Sequence, residues 1–238
     1  MIDWRSVRGL SFDCFGTLVD WEAGILRDLK AGLTSRFGKE IDSLISDEEL
    51  LRLYSQAEPS AQSVAYRPYK EILKTTLARV AESAHFKVRD LEALRNGLPT
   101  WPVFAETPDA LRRLGAKFRL AVISNCDRDL FEATAPKLGA PLAFTVLAED
   151  VQAYKPSQKP FVEALARWEA LGVPKEATVH VSASRFHDVD PAAALGLRTV
   201  LVERKSVRHG GATPSAKTAA QPDLVVPTLA ALVDAVDA

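Results

Sequence analysis

The chain has 238 residues, 47% hydrophobic and 26% charged, with 30 Lys plus Arg against 31 Asp plus Glu and a formal net charge of −1. That length suits one large core, or one core with a modest insert, and the balanced charge offers no global field to nucleic acid or an anionic membrane. No apolar run reaches 18 residues and Met1-Ile2-Asp3-Trp4-Arg5 does not open like a signal peptide, so a cytoplasmic protein is expected.

Gly9–Phe12 is the first of several short apolar runs that read as buried parallel strands. From about Trp21 to Pro99 the signal is helical, with almost no strand signal. Ser46-Asp47-Glu48-Glu49 is a capping box, and Leu50, Leu51 and Tyr54 then share one helical face. Tyr69, Ile72, Leu73 and Leu77 do the same in the next helix. Such a stretch far exceeds the dozen or so residues a crossover needs, which predicts an inserted helical cap over residues 20–99 and a core of 1–19 and 100–238.

The rhythm then becomes regular. A helix over Thr107–Leu114 opens with Thr107 as N-cap and Pro108 behind it. Strands are expected at Arg119–Ile123, Phe144–Leu147, Thr178–Val181 and Thr199–Val202, and a last one at Asp223–Val226. Leu130–Leu138 and Phe161–Leu171 carry helical spacing between them, Pro191–Leu195 reads as a short helix, and Thr228–Ala238 as a closing one. Lys205–Pro222, rich in small and polar residues, reads as a surface loop. The alternation predicts an α/β fold with a doubly wound parallel sheet.

In such a sheet ligands bind beyond the carboxyl ends of the strands, so the polar residues that follow each strand matter most. After the first come Asp13 and Thr17, with Gly16 allowing a tight turn; Asp13 is either a nucleophile or a turn-capping carboxylate. Ser124 and Asn125 follow the second, able to hold an anion or to cap a helix. Lys155 follows the third, where it is either surface decoration or a charge that keeps Asp13 ionised. Ser182, Ser184, His187, Asp188 and Asp190 follow the fourth. There Asp188 is a candidate base for water, His187 a base or a bystander, and Asp190 a residue of the next helix's first turn. Cys14 and Cys126 form neither a disulfide framework nor a zinc site and read as buried thiols; their places beside the first two clusters would also suit a redox switch.

The order Asp…Thr, Ser-Asn, Lys-Pro, Asp resembles the haloacid dehalogenase superfamily, whose first crossover commonly holds a helical cap. The resemblance covers nearly the whole chain and implies a Rossmann-like core. It makes Asp13 the nucleophile, Thr17 and Ser124 its anchors, Lys155 its charge partner and Asp188 the fourth-motif acid. In the superfamily's phosphatases a second Asp stands two residues after the nucleophile and two acids of the fourth motif help hold Mg²⁺; here those places hold Phe15 and, for one of the two acids, Ser184. Phe15 cannot protonate an alkoxide, but halide leaves as a stable anion and needs no proton. The motif is therefore similar to that of the (S)-2-haloacid dehalogenases. This implies metal-independent hydrolysis of short 2-haloalkanoic acids through an ester on Asp13, with no cofactor. Phe15, Ser124, Asn125, Ser182, Ser184 and His187 are then candidates to contact substrate or halide. A cap arginine is also implied, with Arg52 the nearest match and Arg67 a second candidate, and a homodimer is the assembly common among similar proteins. Three departures stand out: Phe161 occupies the family's tyrosine place, Ser184 occupies its asparagine place, and the fourth motif has one residue more. A Mg²⁺-dependent phosphatase or phosphonate hydrolase, and a binding protein on a retired scaffold, remain the alternatives.

Overall fold

The computed structural model describes residues 2–35, 40–63, 65–204 and 220–238. The first strand, β1 (Gly9–Phe12), is buried along its length. Asp20 then accepts a hydrogen bond from Ala23 N at 3.2 Å and so caps α1 (Trp21–Gly32), which opens the long insertion. The insertion continues through β2 (Leu33–Thr34), α2 (Asp47–Gln62), α3 (Tyr69–Ser83), β3 (Lys87–Val88) and α4 (Ala93–Gly97). Ser46 caps α2 through Glu49 N at 3.2 Å, as its sequence predicts, and the acids Asp47, Glu48 and Glu49 fill the first turn. Leu50, Leu51, Leu53 and Tyr54 are buried on one side of α2, and Tyr69, Ile72, Leu73 and Leu77 on one side of α3. The insertion does contain strand, among the described residues the antiparallel pair β2–β3. Two residues each are too few to show an alternating pattern.

Next come α5 (Thr107–Gly115), β4 (Arg119–Ser124), α6 (Arg128–Thr134), β5 (Phe144–Leu147), α7 (Ala148–Val151) and α8 (Lys159–Ala170). They are followed by β6 (Thr178–Ser182), α9 (Asp190–Ala194), β7 (Arg198–Val202), β8 (Leu224–Val226) and α10 (Leu229–Asp237). Two local expectations need correction. Thr107 is the first residue of α5, not its N-cap; its hydroxyl donates to Leu18 O at 3.0 Å and ties the helix to the loop after β1. The helix expected over Leu130–Leu138 tightens after Thr134 into a 3₁₀ turn, Ala135–Leu138, because Pro136 has no N–H to continue the α ladder. Residues 205–219 of the expected surface loop lie outside the described residues.

The main sheet has the order β5-β4-β1-β6-β7-β8 and every pairing is parallel. From β1 the chain winds outward through β4 and β5, then returns to the other side of β1 with β6, β7 and β8. This is a doubly wound, Rossmann-like α/β sheet. Its topological switch point lies at β1, so the carboxyl ends of β1, β4 and β6 border one crevice. Leu120 and Val122 of β4 join one large apolar cluster, whereas Ala121 and Ile123 join clusters with Trp168 and Phe161 of α8. Alternate residues of a strand point to opposite faces, so both faces of the sheet are covered. No helix among the described residues is long and apolar enough to cross a membrane.

Candidate active site

Strand ends set the site. At the end of β1 the chain turns sharply at Gly16, whose φ is +97°. That turn returns Thr17 to Asp13, and the Thr17 hydroxyl donates to Asp13 Oδ2 at 2.7 Å. The same hydroxyl oxygen accepts from Ala183 N at 2.9 Å, so one threonine joins the loops after β1 and β6. Lys155 is buried between the carboxylates. Its ammonium donates to Asp13 Oδ1 at 2.8 Å, to Asp188 Oδ1 at 2.6 Å and to Ile123 O at 2.9 Å, which uses all three protons. Burial pulls the lysine pKa down, but Asp13 and Asp188 outweigh it and leave the ammonium above its ordinary value. The lysine is therefore fully charged at neutral pH.

Burial pushes the Asp188 pKa up, but Lys155 and His180 outweigh that and bring it down to about 2. His180 Nε2 lies 3.0 Å from Asp188 Oδ1 and His180 Nδ1 lies 2.9 Å from Ser11 Oγ. An ionised carboxylate can only accept, so Nε2 carries a proton. The whole chain Ser11–His180–Asp188–Lys155–Asp13 is buried. Both donors meet Asp188 at Oδ1, and Oδ2 has no partner among the described residues. Ser124 Oγ is likewise buried and unpartnered. A carboxylate oxygen and a hydroxyl, both orphaned at one strand-end crevice, are a cost that a bound ligand or water would remove.

They border a cavity of about 70 Å³. The strand-end loops contribute Asp13, Phe15, Ser124, Asn125, Lys155, Ser184, His187 and Asp188, while the inserted helices contribute Trp21, Tyr54, Ser55, Glu58, Pro59 and Tyr69. Phe15 stands edge-on to Trp101 with ring centroids 5.9 Å apart, and Trp21 stands edge-on to Tyr54 at 5.8 Å. Asn125 exchanges two hydrogen bonds with the Lys155 backbone, at 3.0 and 2.7 Å, which fixes the loop that delivers the lysine. Between Ser184 and Asp190 the residues Arg185–Val189 wind as a π-helical turn, with Val189 N bonded to Ser184 O at 3.2 Å. Burial holds the His187 imidazole below its ordinary pKa, so it is neutral at pH 7.

Residues 7–196 match the haloacid dehalogenase-like hydrolase family. The chain belongs to that family. It is 26% identical over 215 residues to (S)-2-haloacid dehalogenase 4A of Burkholderia cepacia, covering 86% of both chains. In fold it is similar to the L-2-haloacid dehalogenase of Xanthobacter autotrophicus with chloropropionic acid covalently bound, at 20% identity and a TM-score of 0.77 over 97% of this chain and 98% of that one. It is also similar to the HAD-hydrolase YfnB of Bacillus subtilis bound to magnesium, at 18% identity and a TM-score of 0.74 over 98% and 99% of the two chains.

Within this member of the family the expected site residues separate into two groups. Asp13, Phe15, Ser124, Asn125, Lys155, Ser184, His187 and Asp188 all line the cavity, and Thr17 is bonded to Asp13 behind it. Ser182 is not on the lining; its hydroxyl donates to Ser184 O at 3.1 Å and accepts from Ser184 N at 3.2 Å, shaping the loop instead. Arg52 is a correction. It is exposed on α2, where it forms a two-pronged pair with Glu49 at 2.6 Å, and does not reach the cavity. Arg67 is turned to Ala61 O at 3.1 Å and does not reach it either.

Sequence reasoning missed His180, Glu58 and Asp127. A histidine inside the apolar run Thr178–Ser182 was the available signal for the first. Asp127 accepts from Tyr69 N at 2.7 Å and Lys70 N at 2.9 Å, capping α3 from the loop after β4 and holding the insertion against the sheet.

Magnesium fits these residues poorly. A hard cation takes six or more oxygen ligands, whereas the strand ends offer two carboxylates bridged by an ammonium, with Phe15 and Ser184 at places where acids would help. No cluster of three or more His, Cys, Asp or Glu suited to a metal occurs among the described residues.

Proposed function

We propose that the chain is a metal-independent dehalogenase that hydrolyses a carbon–halogen bond of a short 2-haloalkanoic acid or a derivative of one. In this reading residues 20–99 are the helical cap of a core formed by 1–19 and 100–238. The observation that carries it is Phe15 beside Asp13 on the cavity wall. Hydrolysis of a phosphate ester needs a proton for the leaving alkoxide, and a phenyl ring has none to give; halide needs none.

Asp13 attacks the carbon that bears the halogen, one carboxylate oxygen forming the new C–O bond as the C–X bond breaks and halide departs. Thr17 and Lys155 each donate to one oxygen of the carboxylate and hold it oriented for that attack. Ser124 Oγ, buried without a partner, is a donor free for the departing anion. Water then attacks the aspartyl carbonyl, the acyl C–O bond breaks, and a hydroxylated product leaves with Asp13 regenerated. Asp188 Oδ2 accepts a hydrogen bond from that water, but a carboxylate held near pKa 2 is a weak base. His187, neutral at pH 7 and on the cavity wall, takes the proton before passing it to solvent. The relative solved with covalently bound chloropropionic acid supports the covalent route by its fold.

The test is halide release from (S)- and (R)-2-chloropropionate, 2-chloropropionamide and bromoacetate in EDTA, with Asp13→Asn as control. Release that requires Asp13 and ignores EDTA is expected. Release that survives Asp13→Asn would sink the reading. Hydrolysis of an aryl phosphate that needs Mg²⁺ would replace it with the phosphatase alternative.

A further inference from the structure

The wall of the cavity built by the inserted helices carries an acid where a haloacid would need a cation. Glu58 lines the cavity from α2, flanked by Tyr54 and Tyr69, whose hydroxyl oxygens are 3.3 Å apart. Gln62, one turn on, donates to Glu58 Oε1 at 2.5 Å and fixes the carboxyl on the helix face. Pro59 has no N–H to give the carbonyl of Ser55, four residues earlier, so that carbonyl loses its helical donor just where both residues border the cavity. The wall is thus rich in acceptors. Opposite it, Lys155 is the one cation among the described lining residues, and its three protons are already spent. Asp13 and Asp188 make the field inside more negative still. A free carboxylate would enter with no cation to pair with and with like charges around it.

We propose that the Glu58 wall recognises a hydrogen-bond-donating headgroup, so that the substrate is a small halogenated amide or amine and not a free 2-haloalkanoate. The proposal rests on the Asp13 chemistry above for the reacting end of the substrate, but the recognition can be tested apart from it. Burial raises the Glu58 carboxyl to about 7, with Tyr69 drawing it partly back, so it accepts fully from a donor only on the alkaline side of neutrality.

The experiment is calorimetric titration at pH 8 of the wild type, Glu58→Gln and Glu58→Arg with lactamide, 1-amino-2-propanol and lactate, beside halide release from 2-chloropropionamide and 2-chloropropionate. Lactamide or the amino alcohol should bind wild type at least tenfold more tightly than lactate. Glu58→Gln, close to isosteric and expected to fold, should keep amide binding within a few fold and lose most of the amine's. Glu58→Arg should reverse the order in favour of lactate. Equal or tighter binding of lactate to the wild type overturns the proposal, as does failure of all three to bind or a ranking unmoved in Glu58→Gln. If the ranking holds and neither chloro compound releases halide, the headgroup site stands and the carbon–halogen reading fails. If halide is released with the acid preferred, the reading stands and the headgroup site fails.

Discussion

Lys155 Nζ and Asp188 Oδ1 are 2.6 Å apart in a site where the lysine is 2% exposed and the aspartate fully buried. With Asp13 at 2.8 Å on the same ammonium, the lysine offsets two carboxylates at once. Removing it leaves both without their cation in a low-dielectric site, which costs far more than losing a surface pair.

Lys155→Met should therefore abolish turnover and lower stability by about 3–5 kcal/mol, read by urea unfolding at pH 7. The pH dependence has a definite sign. Asp188 lies at about 2 in the folded chain and at its ordinary 3.8 when unfolded, so its contribution is complete above pH 4 and is lost as pH falls from there toward 2. The variant should lose much of that acid-side slope, His180 alone keeping a part of it. An unchanged slope would mean that the pair is not what holds Asp188 ionised.

His187→Gln separates the two halves of the proposed reaction. The first step needs only Asp13 and a leaving halide, so one equivalent of halide should still appear. The second step loses its base, so turnover should fall by about 10²–10⁴-fold, the usual range for general base catalysis. Intact mass spectrometry should then show an adduct that maps to Asp13. Undiminished turnover would return the role of base to Asp188.

The sheet was legible from sequence because parallel strands buried on both faces read as bare apolar runs, and β1 and β5 fall at the predicted residues. The β1, β4 and β6 motifs were legible because the fold brings strand ends together whatever lies between them. Glu58 was not legible. Its neighbours Tyr54 and Ala57 are ordinary core residues of an amphipathic helix, and only the packing of α2 against the site turns its face from solvent to cavity. Arg52 failed for the same reason in reverse: it lies on the opposite side of the same helix, paired with Glu49. His180 was hidden by periodicity, since it faces the second side of the sheet with Phe161 edge-on at 5.2 Å. The same histidine ring puts its Nε2 3.0 Å from Asp188 Oδ1.

Asp127 makes a further test, because it couples the two halves of the chain through two backbone amides of α3. Asp127→Ala removes a cap and leaves both N–H groups unsatisfied, with an expected loss of about 1–2 kcal/mol. Hydrogen exchange should rise first at Tyr69 and Lys70. Since Tyr69 lines the cavity, KM should rise more than kcat falls. Loss of kcat at constant KM would show that α3 does not shape binding.

Glu58 gives the last prediction through stability, independent of any substrate. Its carboxyl rises from the ordinary 4.5 to about 7 on folding, chiefly through burial. A raised acid pKa means that the folded chain holds this proton more tightly than the unfolded one, so stability falls as pH climbs from 4.5 through 7 and levels off above. The groups facing it do not reverse that sign. Tyr54 and Tyr69 are pushed further above their ordinary values and stay neutral, while Lys155 and Asp188 hold constant charge over this range and His187, held below its ordinary value, is neutral through the upper part of it. Glu58→Gln carries no such proton, so it should match the wild type near pH 4.5 and exceed it at pH 8 by on the order of 2 kcal/mol. Guanidinium unfolding of both proteins at pH 4.5, 6, 7 and 8 reads this directly. Parallel curves across the series would place the Glu58 carboxylate in water, outside the cavity wall.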